Sequence, residues 1–533
     1  MKRFLKRADE IIPHDLILLI CFPVILGCFI DIALVDFRYL LINIIWMVMF
    51  TIPAILLKSS IPNKIAAIIF FLFGTIESIH WILIKGPVTV VSILTVAATN
   101  QQESWEFLSM KSSFLLLFIV PYVFLFIYSL RQKRAYASYR GKHLIILLIA
   151  GAAVSFILEN AINGRMVRKG VPQIIKVSYS FNDQYNFYKQ TETGNKARAV
   201  EAYLKNEEKQ TCVVIIGESL NRNHMSLYSY HRRTTPNLEK RDDIYVFKDV
   251  VSPYSNTINS VLSLLSASNL ENKQKQVESI DLFDIFSSAG FSTFWLSNQP
   301  PYGIWENPVT SFAKKADDYK FVNIASNSSM EATLTASYDS KLFAPLMDIL
   351  EMDANKKLII VHLMGSHSSY KKRYPNQFNL FSGHTEKEKT IAEYDNSVLY
   401  NDFIVDSLFS ILSSFSTLKN EVMTGIYLSD HGENIYDELD QVGHTYAGGL
   451  PKANVEIPLI VWLSDAFKKA DPNKVLELKN NLGKPFVTDD LFHCIIDINR
   501  IQTPYFDKSR SLFNENLNEK RKRILEDNRN YDD

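Results

Sequence analysis

The chain has 533 residues, 47% of them hydrophobic, with 57 basic and 57 acidic side chains and a net charge of zero. That length exceeds one ordinary core and sets an expectation of two or three domains. The balanced charge gives no electrostatic footprint for nucleic acid.

Composition divides the chain: long apolar runs dominate up to about residue 161, and a water-soluble pattern begins near residue 200. Five apolar segments lie at about 15–35, 39–57, 65–84, 113–130 and 143–162. Each is about long enough to cross a ~30 Å hydrocarbon layer as a helix. The first lacks a small-residue cleavage site and four more follow, so it reads as a span and not as a cleaved signal. Lys2, Arg3, Lys6 and Arg7 precede span one; Lys58 and Lys64 follow span two; Arg131, Lys133, Arg134, Arg140 and Lys142 follow span four. The opposite loops carry only Arg38, Lys85 and Lys111. This bias places the N-terminus in the cytoplasm. An odd number of spans then puts everything after residue 162 outside, in the periplasm if the cell has two membranes. Residues 1–162 are therefore expected to form a five-span α-helical membrane domain.

Glu77 and His80 share one face of span three. A polar contact between helices and a functional pair in a cavity fit equally well. The loop 86–111 mixes apolar residues with acids, which predicts a re-entrant or interfacial helix pair. Residues 163–205 form a connecting segment whose aromatics (Tyr179, Phe181, Tyr185, Phe187, Tyr188) suit a membrane surface.

From about residue 206 to 515, short apolar runs alternate with helical stretches. TCVVIIGES (211–219), FSTFWLSNQ (291–299), KLIIVHLMGSH (357–367), TGIYLSDHGE (424–433) and IPLIVWLS (457–464) are the runs. Segments 258–267, 279–289 and 391–414 read as helices. The alternation predicts an α/β domain with a mostly parallel sheet. In such sheets function gathers at the carboxyl ends of strands, which here carry Glu218, His367 and the pair Asp430–His431. Oxygen and imidazole donors together suit zinc, or manganese; ordinary loop acids and surface histidines are the bland alternative. A metal of this kind activates a hydroxyl, and Ser219, Ser255, Thr257 and Ser260 are candidates. Pro253 breaks the chain and an apolar-periodic helix starts at Ile258, so Thr257 sits at or near its N-cap, where backbone N–H groups favour an alkoxide and a phosphate. Thr257 as nucleophile and Thr257 as a mere cap fit the spacing equally.

Cys21 and Cys28 lie in an apolar run and Cys212 and Cys494 in the soluble half, none with metal-ligand spacing. Free buried thiols are the expectation, with a Cys212–Cys494 disulfide as the alternative in an oxidising compartment. The segment 516–533 is highly charged and is expected to be a solvated tail.

The stretches GESLNRNHMSLYSYHRRTTPNL (217–238), SPYSNT (252–257), LSNQ (296–299), GSHSSYKKRYP (365–375), YDNSVLYND (394–402), YLSDHGEN (427–434) and GHTY (443–446) resemble, in order, the motifs of the bacterial phosphoethanolamine transferases. That family joins five spans to a catalytic domain of alkaline-phosphatase/sulfatase type. The resemblance implies that Glu218, Thr257, Asp430 and His431 bind a catalytic zinc ion, and that Thr257 is the nucleophile and carries phosphoethanolamine as an intermediate. It implies that His367 and His444 bind a second zinc or the phosphoryl group, for one or two ions in all. It also implies that Thr99 and Glu103, in ATNQQESWEF, hold the ethanolamine head. Phosphatidylethanolamine would be the donor and a lipopolysaccharide or other envelope glycan the acceptor, with the enzyme a monomer in the inner membrane. With only two cysteines in its soluble half, the chain is closer to the cysteine-poor members that modify lipopolysaccharide core than to the disulfide-rich lipid A type. A phosphoglycerol transferase, and a membrane-tethered phosphatase or sulfatase, are the alternatives within the same superfamily.

Overall fold

The computed structural model describes residues 14–32, 35, 37–84, 86–88, 119–132, 156, 175, 178–179, 196–204, 208–276, 278–300, 308–323, 337–444 and 449–533. The chain forms two compact units.

The described part of the first unit is helical: α1 (His14–Asp31), α2 (Phe37–Leu56), α3 (Ile61–Ile84) and α4 (Ile119–Arg131). They fall on four of the five expected spans; the segment 143–162 lies outside the described residues apart from Phe156. Small residues and one aromatic set the packing. The Tyr122 ring stacks on Phe22 with centroids 4.5 Å apart. Its hydroxyl lies 3.0 Å from the carbonyls of both Leu19 and Phe70, and so ties α4 to α1 and α3. Such interhelical polar contacts hold helices together where burial alone cannot. His80 turns its Nδ1 to the Gly86 carbonyl at 2.7 Å, closing the end of α3. Among the described residues two helices are long and apolar enough to cross a membrane, Ile61–Leu83 and Glu386–Lys419. The second is a core helix of the other unit, with Val398, Ile404, Val405, Leu408 and Leu412 all buried.

The second unit is built on a seven-stranded sheet. Its strands are β1 (Gln210–Gly217), β2 (Ile244–Phe247), β3 (Ser292–Ser297), β4 (Asp318–Phe321), β5 (Lys356–His362), β6 (Val422–Ser429) and β7 (Leu459–Leu463), in the order β2-β7-β6-β1-β5-β3-β4. The five expected strands all form; β2 and β4 were not anticipated. β6, β1, β5, β3 and β4 are parallel, whereas β7, next to one edge, pairs antiparallel with both β6 and β2. The sheet is therefore mixed. Every residue of central β1 is buried, as expected for a strand covered on both faces. Among the helices are α5 (Thr257–Leu264), α6 (Leu282–Ser288), α7 (Phe343–Glu351), α8 (Glu386–Lys419) and α9 (Leu491–Ile498). α8 opens with a capping box between Thr385 and Glu388 and closes on left-handed Asn420.

Cys212 and Cys494 are both buried and both free, so the alternative of a disulfide does not hold. The expected solvated tail is also corrected. Arg523 and Leu525 are buried, and several charges of the segment are paired within the fold. Arg521 reaches Glu271, Asp489 and Asp490, and Arg523 reaches Asp249 and Asp532. Composition counted those charges without their partners.

Candidate metal and nucleophile site

β1 and β6 are parallel neighbours in register at Gly217 and Ser429. The residues that follow them, Glu218 on one strand and Asp430 and His431 on the other, therefore emerge side by side. All three are buried, with exposures of 1%, 0% and 0%. One oxygen of each carboxylate and a ring nitrogen of His431 lie within 4.8 Å of one another. His431 Nε2 is 3.2 Å from Glu218 Oε1 and 3.5 Å from Asp430 Oδ2. His431 Nδ1 lies 2.8 Å from the Gly432 carbonyl. That contact fixes the ring with Nε2 toward the cluster.

Thr257 completes the group. Asn256 is the N-cap of α5, its Oδ1 accepting from Asn259 N at 3.1 Å, so Thr257 is the first helical residue and not the cap. Its hydroxyl donates to Glu218 Oε2 at 3.0 Å and lies 3.5 Å from His431 Nε2. The other candidate hydroxyls are engaged elsewhere. Ser219 donates to Glu218 Oε1, Ser255 to Glu526, and Ser260 pairs with Ser252. Thr257 is the one of the four within 3.5 Å of both Glu218 and His431.

Burial opposes charge on each of these groups. Burial and the charge of Glu218 push the Asp430 carboxyl up. Burial also opposes ionisation of Glu218, but hydrogen bonding and attraction to His431 outweigh it and hold its carboxyl well below the usual range. Asp430 Oδ2 is buried without a hydrogen-bond partner. Two carboxylates and an imidazole packed this closely, with one oxygen left over, are a donor set that fits a tetrahedral zinc ion.

His367 follows β5 and is half-buried; its Nδ1 lies 3.4 Å from the Ser368 hydroxyl. The turn before it packs directly on Glu218. Gly365 has φ +52°, and a Cβ there would come within 2.7 Å of Glu218 N, so only glycine fits. Asp339 holds that turn by accepting from Met364 N and Gly365 N. His444 places its Nδ1 2.7 Å from Glu433 Oε2, and its ring lies 4.4 Å from that of His431. His431, Glu433 and His444 thus form a second group with donor atoms within 4.8 Å. Thr99 and Glu103 lie outside the described residues.

Three contributors were not assigned from sequence. Glu433 stood in view, three residues after Asp430, and accepts from Tyr370 OH at 2.7 Å. Gln299 ends the LSNQ run and donates to Glu218 Oε2 and the Leu363 carbonyl. Glu526 has no sequence signal at all.

The sulfatase family profile matches residues 210–498, more than half of the chain. This chain belongs to the sulfatase family. Phosphoethanolamine transferase EptC of Escherichia coli strain K12 is 29% identical over 365 residues, covering 65% of this chain and 61% of that protein. The match thus spans about three-fifths of that relative's length. The crystal structure of the C-terminal periplasmic domain of E. coli EptC in complex with zinc superposes with a TM-score of 0.56 at 28% identity, covering 62% of this chain and 93% of that domain. The integral membrane lipooligosaccharide phosphoethanolamine transferase A of Neisseria meningitidis gives a TM-score of 0.65 at 19% identity, over 86% of this chain and 91% of its own. That last likeness is one of fold.

Proposed function

We propose that this sulfatase-family chain transfers phosphoethanolamine from phosphatidylethanolamine to a lipopolysaccharide or related envelope acceptor through a covalent intermediate on Thr257. One observation carries the reading: the Thr257 hydroxyl, at the start of α5, meets both Glu218 and His431. The EptC relatives supply the class of group transferred.

Glu218, Asp430, His431 and Thr257 would hold zinc, which when bound supplies a Lewis acid that acidifies a hydroxyl and draws charge from phosphoryl oxygens. The protein's own groups do the rest. Glu218 Oε2 accepts the hydroxyl hydrogen bond and orients the Thr257 oxygen. The N-terminal N–H groups of α5 favour the charge on the phosphoryl group as the Thr257 oxygen attacks phosphorus and diacylglycerol departs. An acceptor hydroxyl or phosphate then attacks the phosphorus and frees Thr257. His367 and His444 would bind the phosphoryl group or give the leaving oxygen its proton. Glu433 is buried yet held below the usual carboxylate range by His444 and Tyr370, and its Oε2 fixes the His444 ring. Thr99 and Glu103 would hold the ammonium of the donor. Five spans, with a cytoplasmic N-terminus and a periplasmic catalytic unit, would bring the site to its lipid donor. The scarcity of cysteines favours lipopolysaccharide core over lipid A as acceptor.

The test is mass spectrometry of the full-length protein incubated with phosphatidylethanolamine. A phosphoethanolamine mass on Thr257, absent in Thr257→Ala together with at least a ~1,000-fold loss of turnover, is expected. A glycerophosphate adduct in a parallel incubation with phosphatidylglycerol would point to a phosphoglycerol transferase, and release of free phosphoethanolamine without acceptor to a hydrolase. Full activity in Thr257→Ala would sink the nucleophile assignment.

A further inference from the structure

The turn that delivers Thr257 is gripped by a segment more than 260 residues away in sequence. Residues 524–530 fold back on themselves, with Ile524 bridged to Asn530 and Leu525 N donating to Arg529 O at 2.9 Å. This strap is fastened at several points. Arg523 pairs with Asp249 at 2.6 Å, and Tyr531 OH bonds Glu456. Leu450 N donates to Asp527 Oδ2 at 3.2 Å, and Arg529 donates back to Leu450 O at 2.6 Å.

From the strap, Glu526 points at the turn. Its Oε1 accepts from Ser255 N at 3.0 Å and from Ser255 Oγ at 2.6 Å, and its Oε2 accepts from Asn256 Nδ2 at 3.3 Å. Its own N–H donates to the Pro253 carbonyl at 2.9 Å. Four hydrogen bonds thus bind residues 253, 255 and 256, immediately ahead of Thr257. Ser255 and Asn256 are 1% and 9% exposed, so water is a poor substitute for the carboxylate. The Asn256 amide is fixed from both ends: its oxygen must face Asn259 N to cap α5, so its NH2 group must face an acceptor. Glu526 is that acceptor.

We infer that Glu526 is a positioning residue for the transfer reaction, setting the cap of α5 and hence the place of the Thr257 hydroxyl. This rests on the reading of Thr257 as nucleophile. A misplacement of about 1 Å at a reacting atom is enough to cost about a hundredfold in rate. A carboxylate is required because three donors converge on it. In Glu526→Gln the NH2 group would confront the Asn256 NH2 group. In Asn256→Asp two carboxylates would confront each other. The double variant restores one donor and one acceptor at that contact and keeps the pair's charge.

The experiment uses the full-length protein in detergent with a fluorescent phosphatidylethanolamine. Turnover, KM, zinc content, melting temperature and the rate of adduct formation are read for wild type, both single variants and the double. Glu526→Gln is expected to lower kcat and the adduct rate about tenfold, with KM within about twofold and zinc content unchanged. Glu526→Gln/Asn256→Asp is expected to return to within about threefold of wild type. Wild-type kcat in Glu526→Gln, or a double variant no faster than the slower single, overturns the inference. If a single variant folds poorly, the double alone decides, since recovery of both folding and rate supports the contact and failure of rate in a folded double refutes it. Absence of an adduct on wild-type Thr257 would instead refute the nucleophile reading, and turnover across the four proteins would still judge Glu526.

Discussion

His224 and His431 are both buried in the second unit, and each lies between two carboxylates. His224 has Asp395 at 2.8 Å on Nδ1 and Asp437 at 3.1 Å on Nε2. The second oxygen of Asp395 is taken by Arg232 at 2.8 Å and Tyr230 at 3.1 Å. Both nitrogens of His224 and both oxygens of Asp395 are used, and what remains is a closed ion pair. Around His431 the accounts stay open: among the described residues Asp430 Oδ2 has no hydrogen-bond partner, and a threonine hydroxyl faces the ring nitrogen. Two clusters of the same residue types thus differ in what they leave unsatisfied.

The comparison breaks most sharply at Asp430. Asp430→Asn should abolish stoichiometric zinc binding and cut turnover by about 1,000-fold or more, about 4 kcal/mol, while melting temperature without metal stays level or rises. Zinc content by mass spectrometry and turnover are the readouts; a variant that holds zinc as wild type does would make the two clusters alike.

His224 should answer in stability and not in chemistry. Burial alone would lower its pKa, but Asp395 and Asp437 overcome this and raise it to about 9. The folded state therefore binds the proton more tightly. The stabilisation is complete below about pH 6.5, the unfolded value, and is lost as pH rises through about 9. Its size is about 3 kcal/mol. Denaturant melts between pH 6 and pH 10 should show this decline in wild type, and His224→Gln should flatten it while the folded fraction keeps its turnover. An equal decline in the variant would assign the slope to other groups.

Gln299 should give the smallest effect. It touches Glu218 from outside the donor set, so Gln299→Leu should weaken zinc affinity about 10- to 100-fold without changing stoichiometry. Competition with a chelator measures this, and unchanged affinity would show that Glu218 is oriented by Ser219 and His431 alone.

Much of this contrast was legible in the sequence. Apolar runs disclose the parallel strands because central strands are buried on both faces, and the residues after them fall at one rim. That placed Glu218, Asp430 and His431 before any coordinates. The antiparallel edge was not legible, since β7 carries the same apolar run as a parallel strand. Whether Thr257 is the cap or its neighbour was not legible, because Asn256 and Thr257 are both competent caps, and only the Asn256–Asn259 bond decides between them. Glu526 was read as solvated charge because its partners lie at residues 253–256, beyond the reach of any local pattern.

One helix makes the arrangement brittle in a particular way. Over nine positions of α8, Tyr394 holds Ser219 and Asn221, Asp395 holds His224, and Asn396 holds residues 380 and 381. Asn401 then holds Tyr427, and Asp402 holds Asn237 and Leu238. A helix advances about 100° per residue. A single codon gained or lost within this stretch would rotate part of the set away from its loops in one step, with no intermediate that keeps them all. Point substitutions there test these bonds one at a time, whereas a change of length tests them all together.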